Sequence, residues 1–241
     1  MRLRERLRLR GDGLMYIPRR YEEKDAATVH AFIRENSFAI LVSVLDGLPV
    51  ATHIPLLLEK DEQGRDVLVG HIARGNEQKL TFVAGAKVDG ATQATGGTNV
   101  LAIFPGPHAY VSPRWYTQMN VPTWNYVAVH VYGTLTVIEG EELRAALSRL
   151  VDNYEQHLPR PVHIDEIGEK QVAAEMRGIV GFRILIGEIQ AAYKLSQNRD
   201  EKSYHEVIRQ LGEGDEAAKA VAAEMQERAN GLFSSKNEPG K

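Results

Sequence analysis

Short runs of β-branched and aliphatic residues, separated by tight turn signals, constrain this chain most. Two such runs in residues 37–60 flank Asp46-Gly47, a pair typical of the two-residue type I′ turn of a β-hairpin. Strands dominate the first half and helical patterns the second, unlike the strict alternation of a doubly wound parallel sheet. The sequence predicts a mainly β (α+β) fold, a small closed barrel with helices packed outside it. Further strand-like runs lie at 67–73, 99–104, 126–138 and 181–189.

Helical patterns appear near both ends of the chain. Asp25 can cap a helix whose apolar face includes Val29, Phe32 and Ile33. An amphipathic helix is predicted over 143–154, and 165–178 also looks helical. The last helix-prone segment carries apolar residues on one face, namely Ala217, Ala218, Val221, Ala222 and Met225.

Composition limits the chemistry and the compartment. The 241 residues include no Cys, which excludes disulfides, thiolate catalysis and Cys-based metal sites. The net charge of −3 gives no overall field that would recruit nucleic acid. No apolar run is long enough to span a bilayer, so no membrane association is predicted. We expect a cytoplasmic protein in which residues 1–14 form a disordered basic extension, the alternative being an arm that touches DNA phosphates.

Polar side chains interrupt the strand pattern in four places, at strand ends and in connections. Strand ends around a barrel mouth can converge, so we expect these clusters to share one site. The clusters contain His53; His71, Arg74 and Asn76; Thr123, Trp124 and Asn125; and Lys194, Ser196, Gln197 and Asn198.

The residue types in these clusters favour a planar ligand with a phosphate. Arg74 and Lys194 suit a phosphate through charge-assisted hydrogen bonds, with Ser196 and Asn198 as further partners. Aromatic residues suit a flat ring, and flavin mononucleotide (FMN) fits better than pyridoxal phosphate or a nucleotide. No metal site is predicted, although convergence of four histidines is a less favoured alternative. The aromatic residues are Trp115, Tyr116, Trp124 and Tyr126, and the histidines are His53, His71, His108 and His130.

Six segments resemble, in order, the PaiB-like family of FMN-binding negative transcriptional regulators. The resemblance implies an FMN-binding split β-barrel over residues 15–200, related to pyridoxamine-phosphate oxidases and flavin reductases. It also implies a homodimer with two flavin sites at the subunit interface. Residues 201–241 would form a C-terminal helical tail. The segments are MYIPRRY, THIPLLL, GHIARGN, LAIFPGPHAYVSPRWY, VPTWNYVAVHVYG and KLSQNR.

The resemblance also implies roles for the site residues. The strand beginning at His53 would run beside the isoalloxazine, and residues 123–126 would supply polar contacts to the flavin of the partner subunit. Residues 194–198 lie where pyridoxamine-phosphate oxidases place a late basic motif near the cofactor. The phosphate contacts would come from His71, Ile72, Arg74 and Asn76.

The resemblance allows two functions of different classes. The family name implies a regulator, acting through DNA or a regulatory protein partner. The fold relatives permit an FMN-dependent oxidoreductase, in which His53 or His108 could move protons. Haem binding or degradation is a weaker reading, with His130 or a histidine of the tail as the axial ligand. Gly75 and Lys79 depart from the pattern that the resemblance implies, and the sequence leaves open whether the chain retains FMN.

Overall fold

The computed structural model describes residues 14–82 and 97–233. The predicted extension therefore lies outside the described residues, apart from Leu14. The chain divides into two compact units. The terminal unit comprises Met1–Val29, Pro105–Val129 and Gln190–Lys241, and the central unit comprises His30–Phe104 and His130–Ile189.

A seven-stranded sheet forms the framework of the central unit. The strands are β1 (Phe38–Leu45), β2 (Leu48–Pro55), β3 (Leu57–Lys60), β4 (Asp66–Ala73), β5 (Thr98–Val111), β6 (Thr123–Ile138) and β7 (Ile179–Lys194). Their order is β2-β1-β5-β6-β7-β4-β3. The pairs β1–β2, β1–β5, β3–β4 and β4–β7 are antiparallel. β5 and β7 continue along the chain into the terminal unit, and β6 begins in that unit.

The predicted hairpin between β1 and β2 is confirmed. Leu45 pairs with Leu48, and the two turn residues have the positive φ angles that a type I′ turn requires, 50° at Asp46 and 83° at Gly47. Along β1, Ala39, Leu41 and Ser43 are buried, while the alternate residues are more exposed.

One connection predicted as a loop is instead strand. β5 continues past Phe104 to Val111, and only Pro113–Trp115 forms a 3-10 turn. Ala109 and Val111 are buried, so inward packing continues beyond Phe104. That packing outweighs the turn signal of the Gly and Pro residues at 105–107, because strand preference depends mainly on packing.

The helices of the central unit pack against the sheet. The helices of the whole chain are α1 (Ala26–Glu35), α2 (Gly140–Glu155), α3 (Glu169–Arg177), α4 (Glu201–Gly212) and α5 (Glu216–Phe233). On the central sheet, Leu143 and Ala146 of α2 form a core cluster with Val67, Val69 and Ile138. A Cβ at Gly181 would collide with Leu143, so glycine there permits the close approach of helix and strand.

An αα-hairpin of α4 and α5 forms part of the terminal unit. The predicted apolar face of α5 is confirmed in its middle, where Val221, Ala222 and Met225 are buried. At the first turn the prediction is wrong, because Ala217 is exposed and Ala218 is only half-buried. The Tyr204 hydroxyl in α4 donates to the Met225 carbonyl at 2.9 Å, and burial raises the pKa of Tyr204 to about 12. Within residues 14–82 and 97–233, no helix is long and apolar enough to cross a membrane.

Candidate functional site

The turn after β4, in the central unit, fixes the guanidinium of Arg74. Its Nε donates to the Arg177 carbonyl at 2.7 Å and its Nη2 donates to the Ile179 carbonyl at 2.8 Å. The backbone N–H of Arg74 donates to the Gly178 carbonyl at 2.7 Å. A guanidinium has five N–H donors, so three remain on this exposed side chain. An exposed, oriented guanidinium suits a phosphate.

A second cation lies at the same turn. The Lys79 ammonium donates to the Arg74 carbonyl. Lys79 therefore places another positive charge beside Arg74. At Gly75, a Cβ would meet no atom within 4 Å, and φ is not in the left-handed region. Steric fit therefore does not require glycine at position 75.

Asn76 shapes the turn through both ends of its amide. Its Oδ1 accepts from the Gln78 backbone N–H at 2.9 Å, and its Nδ2 donates to Thr52 Oγ1 at 2.8 Å. For the Asn76 side chain to contact a ligand, one of these two hydrogen bonds would have to break.

Sequence reasoning missed Gln78, the buried polar centre beneath the turn. Gln78 is 3% exposed, and its Nε2 donates to the Leu41 carbonyl and to Ser43 Oγ, each at 3.0 Å. The Thr52 hydroxyl donates to Gln78 Oε1 at 2.5 Å. No local pattern distinguishes this glutamine from a solvated one, because its partners lie on distant strands.

The other predicted residues of the central unit differ in exposure. His53 is exposed, with its ring 6.4 Å from that of Phe38. His71 is half-buried, and burial lowers the pKa of its imidazole. Ile72 is 2% exposed, so its side chain belongs to the core and only its backbone is left for a ligand.

In the terminal unit, Lys194 joins the end of β7 to the start of β6. Its ammonium donates to Thr123 Oγ1 at 2.6 Å and to the Trp124 carbonyl. Burial and the nearby charge of Arg199 lower the pKa of Lys194. An ammonium has three donors, so one remains for a ligand.

A buried network underlies this lysine. Asn125 is fully buried; its Oδ1 accepts from Ser196 Oγ at 3.0 Å and its Nδ2 donates to Met225 Sδ at 3.3 Å. Ser196 is 3% exposed and has a φ of 63°. Gln197 accepts from the Leu195 backbone N–H at 2.8 Å. These side chains hold the two strand ends together, and α5 takes part through Met225.

An exposed aromatic surface lies next to this network. Trp124 is 54% exposed, and its ring lies 6.0 Å from that of Tyr110 and 6.2 Å from that of His108. The guanidinium of Arg199 stacks over Tyr116 at 4.2 Å. Asn198 is exposed. Sequence reasoning missed Tyr110 because it assigned that stretch to a loop.

The structure brings the predicted site residues together as two groups, one in each unit. The central group comprises His53, His71, Ile72, Arg74 and Asn76, and the terminal group comprises Thr123, Trp124, Asn125, Lys194, Ser196, Gln197 and Asn198. Each group by itself offers donors of a kind that FMN takes. In the central unit, Arg74 and Lys79 offer cations for a phosphate. In the terminal unit, Trp124 offers an exposed indole for a flat ring and Lys194 keeps one donor for a ring oxygen. Across the part of the chain that the structure describes, no three His, Asp or Glu residues form a metal-binding group.

Comparison with known proteins identifies the class. Residues 15–188 match the family described as "Putative FMN-binding domain", and the chain belongs to this family. The match confirms the predicted family and FMN as its cofactor.

Two relatives align with this chain along nearly their whole length. The chain is 42% identical over 215 residues to "Protease synthase and sporulation protein PAI 2" of Bacillus subtilis, covering 89% of this chain and 98% of the relative. It is 30% identical over 256 residues to an uncharacterized protein of Aspergillus fumigatus, covering 90% and 98%.

A solved structure supports the fold. The FAD and haem binding protein from Mycobacterium smegmatis matches with a TM-score of 0.51 at 16% identity, covering 72% of this chain and 73% of that protein. The predicted α+β split-barrel class is confirmed.

Proposed function

We propose that the chain is a homodimeric, cytoplasmic FMN-binding protein that regulates gene expression. The observation that carries the proposal is the fixed guanidinium of Arg74, with Lys79 beside it, in a family defined by FMN binding. Arg74 would bind the phosphate of FMN through its remaining N–H donors. When bound, FMN supplies electron and hydride transfer chemistry.

An open apolar face on the central sheet supports the homodimer. Ile40 pairs with Ile103 and Val42 with Leu101, so these four side chains share one face of the sheet. On the same strand, Val44 is 60% exposed, as is much of Phe38. The four paired side chains are partly exposed, and an apolar face of this kind with exposed residues beside it supports an interaction surface. We assign a second copy of the chain as its occupant.

The protein would regulate gene expression by binding a protein partner, and its αα-hairpin would not contact DNA. Two helices joined by a short turn resemble a helix-turn-helix in outline. However, α4, α5 and their turn carry seven carboxylates and four Lys or Arg residues. This excess of negative charge opposes phosphate binding. The relative PAI 2 is named for protease synthesis and sporulation, which supports a regulatory role.

An FMN-dependent oxidoreductase is the second candidate, and the state of Lys194 favours it. The lowered pKa of Lys194 makes its ammonium a better acid than an ordinary lysine, and one donor is not engaged. A positioned acid of this kind can hold a proton near a reacting ring. Oxidation of a reduced nicotinamide by the FMN-loaded protein would support the enzyme, and its absence would favour the regulator.

Flavin retention tests the cofactor site. The full chain is saturated with FMN, desalted and examined by its absorbance spectrum. We expect a retained flavin band, and about tenfold weaker FMN binding for Arg74→Gln. Arg160→Gln is the matched control, since Arg160 is an exposed arginine of the same unit.

Two results would contradict this assignment. A colourless wild-type protein would refute FMN retention. Equal FMN affinity of the Arg74→Gln and Arg160→Gln variants would remove Arg74 from the phosphate site.

Salt dependence tests the route of regulation. Binding to duplex DNA fragments is measured at about 50 mM and about 200 mM salt. We expect no specific binding at either concentration. Tight binding that weakens steeply with salt would replace the protein-partner route with direct DNA contact.

A further inference from the structure

A cleft of about 340 Å³ opens in the central unit between the end of α1, the strand β3 and the helix α2. This volume lies at the lower end of the range for small-molecule sites. The floor is apolar and belongs to the core, since Leu56, Leu57 and Leu58 are 0%, 8% and 9% exposed. Leu56 offers a ligand no surface, but the small exposed parts of Leu57 and Leu58 can contact a short apolar group.

One wall is a polar stripe of α2. Arg149, Asp152, Asn153 and Gln156 are spaced three, four and seven residues apart, which places them on one side of a helix. Gln156 follows the last residue of α2 and keeps helical backbone angles, so it continues this stripe.

The opposite wall of the cleft is hydrogen-bonded to the floor and to α2. Ser37 accepts from the Leu56 backbone N–H at 2.8 Å through its carbonyl, and its hydroxyl pairs with the Tyr154 hydroxyl at 2.6 Å. Arg34, in the last turn of α1, completes this wall. The cleft is thus a formed feature with fixed sides.

The hydrogen bonds within the cleft leave guanidinium donors of its two arginines unengaged. Both carboxylates are paired, Glu59 with Arg149 Nε at 2.7 Å and Asp152 with His163 Nδ1 at 2.8 Å. In the described ranges 14–82 and 97–233, the guanidinium of Arg34 has no ion-pair or hydrogen-bond partner. The Nη groups of Arg149 likewise have none among those residues. Unmatched guanidinium donors select an oxyanion, and carboxylate is the form that a fork of N–H groups matches.

We propose that this cleft binds a small carboxylate that carries a short apolar chain. The carboxylate takes the guanidinium donors of Arg34 and Arg149, and the chain lies over the leucine floor. This ligand site is formed within the central unit and does not depend on the FMN role proposed above. It would let the protein respond to a carboxylate metabolite.

Calorimetry with three probes on the FMN-loaded full chain tests the proposal. Hexanoate carries both features, hexanamide lacks the charge, and inorganic phosphate lacks the apolar chain. We expect hexanoate to bind at least about tenfold more tightly than either of the others. We expect Arg34→Gln to weaken hexanoate binding about tenfold, while Arg160→Gln leaves it unchanged. Repeating the titration without added FMN separates a failure here from a failure of the flavin site.

A second variant keeps the test independent of Arg34. Gln156→Glu places a negative charge on the polar wall and should also weaken hexanoate about tenfold. Equal hexanoate binding by wild type, Arg34→Gln and Gln156→Glu would overturn the site. Equal binding of hexanamide would overturn the anion requirement, and equal binding of phosphate would overturn the apolar chain.

Discussion

At the scale of single residues, Ser196 has an unusual backbone. Among the described residues, only Asp46 and Ser196 combine a side chain with a positive φ. Asp46 belongs to a hairpin turn, where this conformation is usual. At Ser196 the conformation is costly, and the hydroxyl bond to Asn125 helps to maintain it.

Substitution of Ser196 separates the cost of its positive φ from the contribution of its hydroxyl hydrogen bond. Ser196→Ala and Ser196→Gly both lose the hydroxyl, but only glycine adopts a positive φ without strain. We expect the glycine variant to be more stable than the alanine variant by about 1 kcal/mol in urea unfolding. Equal free energies of unfolding would mean that the φ at this position carries no strain.

His71 should make stability depend on pH. Burial lowers the folded-state pKa of His71 below its usual 6.5. As pH falls through 6.5, the unfolded chain takes up a proton that the folded chain resists, so the free energy of unfolding decreases. His130 acts in the same direction for the same reason.

The variant His71→Gln removes one of these groups. Its free energy of unfolding should fall less than that of wild type between about pH 7.5 and about pH 5.5. Identical pH dependence in the two proteins would show that His71 is not buried enough to resist protonation.

At the scale of elements, the turn 74–79 does not need the glycine that it contains. Position 75 has room for a Cβ and an ordinary φ. Gly75→Ala should therefore stabilise the protein by about 0.4–1 kcal/mol, because alanine has fewer unfolded conformations. Thermal unfolding of the two proteins measures this. A lower melting temperature for the variant would mean that the turn needs glycine.

Sequence reasoning predicted elements where local chemistry decides and failed where distant packing decides. Asp46-Gly47 predicts its hairpin because the turn type follows from those two residues. Asp25 likewise caps α1, accepting from the Thr28 N–H at 2.8 Å. The extension of β5 to Val111 was missed, since burial of Ala109 decides it.

The same distinction holds for the candidate site. Residue types at strand ends indicated a phosphate and a flat ring, and they remain the proposed contacts. The bond from Asn125 to Met225 could not be predicted, because the two residues are 100 positions apart. Sequence alone suggested that Asn125 faces the flavin, whereas its full burial favours a supporting role.

At the scale of the whole molecule, the proposed dimer can be tested on the open sheet face. Val44→Glu places a charge on that face and should convert a dimer into a monomer in size-exclusion chromatography with light scattering. Val162→Glu is the matched control, since Val162 is also an exposed valine, at 43%. A monomeric wild type, or a dimer that survives Val44→Glu, would contradict this interface.

The fixed guanidinium of Arg74 has a further consequence for the kinetics of association. An arginine side chain free in solution carries about 2 kcal/mol of rotamer entropy. Here two backbone carbonyls already restrict that freedom in the folded chain. An arriving phosphate therefore meets a preorganised fork and need not order the side chain. Binding of the phosphate to Arg74 should therefore proceed in one kinetic phase. A lysine at this position would present a point charge on a mobile stem, so it could not provide the same preorganised fork.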